Sequence, residues 1–454
     1  MLTSINPTNN KIVNTYLEME SEESIKIISL ADDACTQWKE TTFAHRSVLM
    51  KNAAKVLREN SEEYSVLMTL EMGKPIVQSR AEVEKCAWVC DYYAENAEQF
   101  LSDEIIKTEA TKSFISYQPL GVILAIMPWN FPFWQVFRFA APNLMAGNAG
   151  LLKHASNVSG CALAIEDVFR KAGFPENLFR SLLVTSKNVN EIISNPKVQA
   201  ITLTGSVPAG KSVASLAGSL IKKTVLELGG SDPYIILEDA DLEKAAMSCV
   251  TSRLINAGQS CIAAKRFIIV QSVYGEFEKL FLEIMSKKKM GDPFDEKNDL
   301  GPQASIQLRD ELHEQVLRSI EQGAELILGG SIPEMDGAFY PPTILTNVKP
   351  GMVAFDEELF GPIAALIKAK DENDAIDLAN KSIFGLGASV FTKDVKRGEQ
   401  IAKEKLNAGC CFVNDFVKSD PRLPFGGIKE SGYGRELSPL GIKEFVNIKT
   451  VYVK

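Results

Sequence analysis

The chain has 454 residues, 45% of them hydrophobic and 24% charged, an ordinary globular composition with apolar material for two or three cores. Forty-nine Lys and Arg stand against 58 Asp and Glu for a net charge of -9, and no segment clusters basic residues as a phosphate-backbone binder requires, so nucleic acid is not an expected partner. The start, MLTSINPTNN, lacks the basic flank and apolar run of a secretory signal, and the longest apolar stretch, GVILAIMPWNFPFW, is broken by Pro128 and Pro132, so a cytoplasmic location away from membranes is expected.

From about residue 22 to 101, ESIKIISLADDACTQWKE, RSVLMKNAAKVLRENSEEYSVLMTLEMGK and SRAEVEKCAWVCDYYAENAEQFL carry apolar residues at three- and four-residue spacing, which predicts helices. SFISYQPLGVILAIMP changes to a two-residue alternation and then a continuous apolar run, predicting a linking strand followed by a buried one. Next, AGLLKHAS, LFRSLLV, VQAITLTGS and TVLELGG alternate with GCALAIEDVFRKAG, KNVNEIISN and PAGKSVASLAGSLI. That βαβ succession predicts a parallel sheet. A second series begins near residue 232 with DPYIIL and continues through RFIIV, AELILGG, AALIKA, GASVFT and CCFVN, with helices such as SVYGEFEKLFLEIMSK between. The closing FVNIKTVYVK alternates like a strand with no partner nearby in sequence and reads as a dimer-forming edge.

Eight cysteines, at 35, 86, 90, 161, 249, 261, 410 and 411, show no repeated C-x-x-C spacing, so reduced thiols are expected and a metal site is not. Cys86 and Cys90 lie four apart and would share one helix face as packing residues, and of Cys410 and Cys411 one must face inward from its strand. Cys261 differs: in INAGQSCIAAKR it follows the turn former Gly258 and precedes an apolar strand. By itself this reads first as a buried thiol at a strand entrance and second as a turn-mounted nucleophile.

Five other stretches bear on that choice. VLELGG, residues 225 to 230, places Glu227 in an apolar strand just before two glycines, where a carboxylate needs either a task, such as general base, or a partner at a domain seam. PWNFP, 128 to 132, holds Asn130 between two prolines, as a rigid amide able to donate to an oxyanion or as a plain turn former. TGSVPAG, 204 to 210, joins a strand to a helix, the setting in which backbone amides bind phosphate, although its spacing is not G-x-G-x-x-G. EELFGP, 357 to 362, and PFGGIKESGYGRE, 424 to 436, add an acidic-aromatic turn and a glycine-rich loop.

In this order and over nearly the whole chain, from about residue 5 to 454, PWNFP, TGS, LELGG, GQSC, EELFGP and PFGGIKESGYGRE resemble the aldehyde dehydrogenase superfamily. The resemblance implies an α/β fold: a Rossmann-type cofactor domain of residues 1–100 and 119–228, and an α/β catalytic domain of 229–424. It adds a β-strand oligomerisation flap of 101–118 and 437–454, a return segment of 425–436, and a homodimer or homotetramer. It makes Cys261 the nucleophile, Glu227 the general base and Asn130 the oxyanion donor together with the Cys261 backbone amide. Cofactor residues carried over are Trp129, Asn130, Lys153, His154, Ala155, Ser156, Gly205, Ser206, Leu228, Glu358 and Phe360. Glu227 also argues for hydrolysis to a free acid over acylation of coenzyme A, since the coenzyme-A-acylating relatives generally lack that carboxylate.

One departure is informative. Many NAD-using relatives have KPSE where this chain has KHAS, so Ser156 replaces the carboxylate that would bind the adenosine ribose and repel a 2'-phosphate. With Lys153 nearby, NADP is expected to be preferred and NAD accepted. The short length and LLKHASNV resemble the compact succinate-semialdehyde dehydrogenases, for which Arg138, eight residues after Asn130, would clamp a substrate carboxylate beside Trp134. An arginine that longer relatives hold six residues before the nucleophile is Ile255 here, with Arg253 two residues further back, and Arg422 would supply the second charge instead. A broad-specificity aldehyde dehydrogenase, and a cysteine hydrolase or thioesterase without redox chemistry, are the competing readings; with three His, none near Cys261 in sequence, the hydrolase is harder to assemble.

Overall fold

The computed structural model describes residues 1–454. It opens with an antiparallel hairpin, β1 (Leu2–Asn6) and β2 (Lys11–Tyr16), absent from the sequence expectation because β2 is largely exposed and carries no apolar face. Four helices follow: α1 (Ser21–Trp38), α2 (Phe43–Glu59), α3 (Ser61–Met72) and α4 (Ile76–Phe100). In α4 both Cys86 and Cys90 are fully buried, one turn apart on the face that packs inward, so they serve the core.

Two short strands, β3 (Glu104–Ile105) and β4 (Lys112–Pro119), lead into the first of two large sheets. Its strands are β5 (Val122–Met127), β6 (Ala149–His154), β7 (Phe179–Ser181), β8 (Val198–Thr204) and β9 (Lys223–Glu227), all parallel to their neighbours. Helices α5 (Trp134–Met145), α6 (Ser159–Lys171), α7 (Val189–Ser194) and α8 (Val207–Ser219) connect them. The spatial order places β8 and β9 on one side of β5, and β6 and β7 on the other. The chain therefore reverses its direction of travel across the sheet between β5 and β8, and the carboxyl ends of the strands at such a switch are where an open α/β sheet binds a ligand.

The second sheet contains β10 (Pro233–Ile236), β11 (Arg266–Val270), β12 (Glu325–Leu328), β13 (Thr343–Thr346), β14 (Ile363–Ala369), β15 (Gly387–Phe391) and β16 (Cys410–Val413), ordered β12-β13-β14-β11-β10-β15-β16. Only β12 runs antiparallel. Helix α9 (Leu242–Leu254) lies between β10 and β11. Because this sheet is covered on both faces, Cys410 belongs to the core shared with the first sheet while Cys411 packs against a second core on the far face. Both neighbours thus meet apolar surroundings, where the sequence required only one to do so.

The chain then returns to the first sheet, where β17 (Gly432–Tyr433) pairs antiparallel with β9, setting Gly432 opposite Glu227. Last comes β18 (Val446–Val453). Its partner is β4, over the full register Val446 with Pro119 to Val453 with Lys112, and β3 completes a separate three-stranded sheet. The partner missing in the sequence is thus within the chain, and the outer edge of β18 remains unpaired. No helix is long and apolar enough to cross a membrane.

Candidate active site

Cys261 lies in the turn between α9 and β11, half-buried. The backbone before it passes through three successive left-handed residues, Asn256, Ala257 and Gly258, with φ of +54°, +51° and +78°. Such a conformation costs of order 1 kcal/mol or more for each residue that carries a Cβ, and it persists where surrounding contacts over-determine it. Those contacts are present. A Cβ on Gly258 would lie 2.2 Å from the Gly361 carbonyl group, so the GQSC and EELFGP turns meet backbone to backbone. The buried Arg253 guanidinium donates to the carbonyls of Gly258 (2.6 Å) and Ala264 (2.8 Å), and Lys265 Nζ donates to those of Ser260 (2.9 Å) and Cys261 (2.6 Å). Arg253 is thereby committed to the turn.

Asn130, in the loop after β5, is 4% exposed. Its Nδ2 donates to Gln259 O at 3.1 Å while its own carbonyl accepts from Asn256 Nδ2 at 2.7 Å. Side chain and backbone are both pinned to the cysteine turn, which joins the carboxyl end of the first sheet to the amino end of the second. One Asn130 N–H remains for another acceptor, and the Cys261 backbone N–H has none within the protein. Burial pushes the Cys261 thiol up to about 12, against the opposing effect of the Lys265 and Arg138 cations.

Glu227 ends β9, 2% exposed, and neither of its oxygens has a hydrogen-bond partner. Burial first, and the neighbouring Glu436 second, raise its carboxyl well above the usual carboxylate range, with Arg138 and Arg435 opposing. The carboxylate faces Gly426, where a Cβ would come within 2.6 Å of Oε1. It does not line the cavity in front of Cys261.

That cavity has a volume of about 390 Å³ and lies between α4, α5, the cysteine turn and the segment after β16. Trp134 forms one wall, 4% exposed. Arg138 also borders it, but the guanidinium is taken: Nε pairs with buried Glu436, Nη2 donates to Thr204 Oγ1 at 3.3 Å, and the group stacks over Phe425 at 4.7 Å. Arg422 is outside the lining, exposed and paired with Asp420 at 2.6 Å. Of the two arginines expected at a substrate carboxylate, Arg138 thus borders the cavity while also serving a buried carboxylate, and Arg422 lies outside it on a surface one. The cation in the wall with no acidic partner is Lys85 of α4, and no sequence signal distinguished it, since its place beside Cys86 resembles the polar side of an ordinary helix. Lys265, Ser419 and Glu436 went unread for the same reason: each acquires its meaning from a contact remote in sequence. No histidine lines the cavity.

Along the carboxyl edge of the first sheet, residues expected for a nicotinamide cofactor lie at the ends of successive strands. Trp129 follows β5 and meets Phe360 edge-on at 5.8 Å between ring centroids. Lys153 is in β6, 9% exposed and in no ion pair, and burial lowers its ammonium. Ser156 follows it, half-buried. At the end of β8, Gly205 donates its N–H to Glu227 O at 3.0 Å and Ser206 caps α8. The N–H groups of Ser206 and Val207 have no acceptor in the protein. Leu228, buried at the end of β9, packs so closely on α8 that a Cβ at Gly210 would meet it at 2.6 Å. Glu358 Oε1 accepts from Gly230 N at 3.0 Å and lies 3.3 Å from Lys265 Nζ, leaving Oε2 open. His154 departs from expectation. Its ring is buried between the carbonyls of Met127 (3.2 Å) and Pro132 (2.9 Å) and held neutral, its pKa lowered to about 4 by burial. It braces the PWNFP loop and has no nitrogen to offer a ligand, while Ala155 contributes backbone between it and Ser156.

A model of the aldehyde dehydrogenase family matches residues 1–451. Among curated proteins, a probable succinate-semialdehyde dehydrogenase (NADP+) of Synechocystis sp. is 50% identical over 100% of this chain and 99% of its own length. A succinate semialdehyde dehydrogenase (NAD(P)+) of Escherichia coli is 47% identical over 99% and 97%. Among solved structures, succinic semialdehyde dehydrogenase from Streptococcus pyogenes in complex with NADP+ superposes with a TM-score of 0.98 at 36% identity, covering 100% of both chains.

Proposed function

The chain belongs to the aldehyde dehydrogenase family, and on that premise we propose that it oxidises succinate semialdehyde, or a similar short aldehyde with a terminal carboxylate, to the acid, with NADP preferred and NAD accepted. The observation that carries this reading is the placement of Cys261: it lines the cation-bearing cavity, and its turn is hydrogen-bonded through Gln259 to Asn130 at the carboxyl end of β5. A thiol addressing both is suited to joining an aldehyde to a hydride acceptor.

The cofactor residues fit such a group. Lys153 has a buried ammonium without an acidic partner, and the first N–H groups of α8 lack acceptors, so a phosphorylated ribose and a pyrophosphate answer charges and donors already present. Lys153 and Ser156 would hold the adenosine ribose and its 2'-phosphate, with Gly205 and Ser206 at the pyrophosphate. Trp129, Leu228, Glu358 and Phe360 would hold the nicotinamide half. When bound, the cofactor supplies the hydride acceptor.

The rest is the work of side chains. Addition of the Cys261 sulfur to the aldehyde carbon places negative charge on the oxygen, where the Cys261 N–H and the free Asn130 N–H can donate. With its pKa near 12 the thiol is protonated at rest, so addition needs a base. A carboxyl with raised proton affinity is suited to accept that proton in its ionised form and, once it has released it to solvent, to accept one from the water that hydrolyses the thioester. Glu227 has that property and no hydrogen bond to restrain its side chain, which favours its rotation toward the thiol.

A cysteine hydrolase is disfavoured because no histidine lines the cavity. We also propose a cytoplasmic homodimer or homotetramer associating through the unpaired edge of β18, where Ile448 and Tyr452 are exposed. Initial rates with succinate semialdehyde, butanal and benzaldehyde, each with NADP and NAD, test the reading. The semialdehyde with NADP should have the highest kcat/KM, and no reduction of either cofactor with any aldehyde would overturn it.

A further inference from the structure

Lys265 stands at the entrance of β11, after Cys261 in GQSCIAAKR, and is fully buried. Its backbone is fixed on both sides: its N–H donates to Asp232 O at 3.2 Å, just before β10, and its carbonyl accepts from Ala365 N at 3.0 Å in β14. From that anchored base the side chain folds back onto the turn it follows. Nζ donates to Ser260 O at 2.9 Å and to Cys261 O at 2.6 Å, and lies 3.3 Å from Glu358 Oε1. One ammonium therefore touches both the backbone of the proposed nucleophile and the carboxylate proposed to hold the nicotinamide ribose.

The two glycines of LELGG make this meeting possible. A Cβ on Gly230 would lie 2.8 Å from Cys261 O, and one on Gly229 would collide with Glu358 Oε2, so a larger residue at either position would force these groups aside. Gly230 N donates to Glu358 Oε1 at 3.0 Å, the same oxygen that faces the ammonium. The other charges near Lys265 are occupied: Arg253 by the carbonyls of Gly258 and Ala264, and Asp232 by Gly387 N at 3.0 Å. Glu358 is the one carboxylate within ion-pair distance of the ammonium. A fully desolvated ammonium is costly without such a partner, so the turn, Lys265 and Glu358 are held as one unit.

The hydrogen bond to Ser260 O has a further consequence. That oxygen and the Cys261 N–H belong to one planar trans peptide group and point in opposite directions, so fixing the oxygen also aims the N–H proposed to receive the oxyanion.

We propose that Lys265 is a positioning residue that sets the Cys261 turn and the cofactor carboxylate Glu358 in register, and whose cation favours the thiolate. The part that concerns Glu358 rests on the cofactor reading above; the part that concerns Cys261 stands without it. Lys265 opposes the effect of burial on the thiol, while Glu358 adds to it.

The test is alkylation of Cys261 by iodoacetamide in the full-length protein, without aldehyde or cofactor, together with NADP affinity by calorimetry. The proteins are the wild type, Lys265→Met, Lys265→Gln, Glu358→Gln and the double variant Lys265→Met/Glu358→Gln. Alkylation between pH 7 and 9 should slow by roughly 3- to 10-fold in Lys265→Met, because the thiolate loses its nearest cation. It should quicken by roughly 2- to 5-fold in Glu358→Gln. A merely structural role predicts the reverse for lysine, since a loosened turn exposes the sulfur. Lys265→Gln keeps a neutral donor for the turn carbonyls; it should also alkylate slowly, and it decides the matter should Lys265→Met fail to fold. NADP should bind roughly 3- to 10-fold more weakly to Lys265→Met, and no more weakly to the double variant than to Glu358→Gln, as for residues that act through one another. Alkylation at the wild-type rate or faster in the lysine variants overturns the hold on Cys261, and additive losses in the double variant overturn the coupling to Glu358. Unchanged NADP affinity in Glu358→Gln overturns the cofactor reading of that carboxylate, while the alkylation rates still decide whether Lys265 governs the thiol.

Discussion

Replacing Ser156 by glutamate should reverse the cofactor preference. In the wild type, the position after β6 offers a hydroxyl beside Lys153, whose buried ammonium has no acidic partner. A glutamate there would put a carboxylate where the 2'-phosphate of NADP is proposed to bind. At an effective dielectric of about 20, two like unit charges about 4 Å apart repel by ~4 kcal/mol. Ser156 is half-buried, and the Lys153 cation offsets part of the repulsion, so a net penalty of about 2–3 kcal/mol is expected, equivalent to roughly 30- to 150-fold weaker NADP binding. The same carboxylate can accept hydrogen bonds from the ribose hydroxyls of NAD, for a gain of about 1.5–3 kcal/mol. The assay is kcat/KM for both cofactors at saturating aldehyde in the two proteins. The NADP-to-NAD ratio should fall by about 100-fold or more, and a change of less than about threefold would refute the claim that Ser156 sets the preference.

Alkylation of Cys261 by iodoacetamide in the free enzyme should accelerate by about tenfold per pH unit from 7 to 9 without a plateau, because a thiol with pKa pushed to about 12 gains thiolate throughout that range; a plateau near pH 7 would show a thiolate already formed. Glu227→Gln should slow both the burst of cofactor reduction and steady turnover by roughly 100-fold or more, since thiol addition and thioester hydrolysis each lose their base; a burst at the wild-type rate with slow turnover would confine the carboxylate to the hydrolytic step. Arg138→Met should destabilise the fold by about 3–5 kcal/mol in urea titrations by leaving Glu436 and Glu227 buried without their cation, whereas a normally stable variant with a raised KM only for the semialdehyde would restore Arg138 as the substrate clamp. Gly258→Ala should abolish soluble active enzyme or cost more than about 3 kcal/mol, because its Cβ meets the Gly361 carbonyl at 2.2 Å and its φ is +78°; a stable, active variant would show that the turn yields.

Much of this architecture is written in local pattern. The alternation of short apolar runs with helical periods specifies parallel strands and their connecting helices without reference to anything distant, because a strand buried on both faces must be apolar at every position and a covering helix at every third or fourth. The turns are legible too. Glycine in GQSC and the two prolines around asparagine in PWNFP mark turns, and the structure puts left-handed residues before Cys261 and a fixed amide at Asn130. The N-terminal hairpin escaped because its second strand is exposed and therefore has no apolar face to read.

What the amino-acid sequence determined unaided was the order of elements, the residue types suited to thiol chemistry, and the absence of a carboxylate at Ser156. What only the tertiary structure decided was which charges are available. Arg138, Arg253 and Arg422 all looked like candidates for binding an anion, and each proves to be satisfied by a partner: Glu436, the carbonyls of Gly258 and Ala264, and Asp420. Lys85 carried no distinguishing mark in its helix, yet it is the cation left over at the cavity. A side chain's charge is local and can be read from one letter, but its neutralisation depends on groups hundreds of residues away in sequence, brought near only by folding. The strand β18 teaches the same lesson in backbone terms: its alternation announced a strand, and its partner β4, more than three hundred residues earlier, was assigned by the return of the chain.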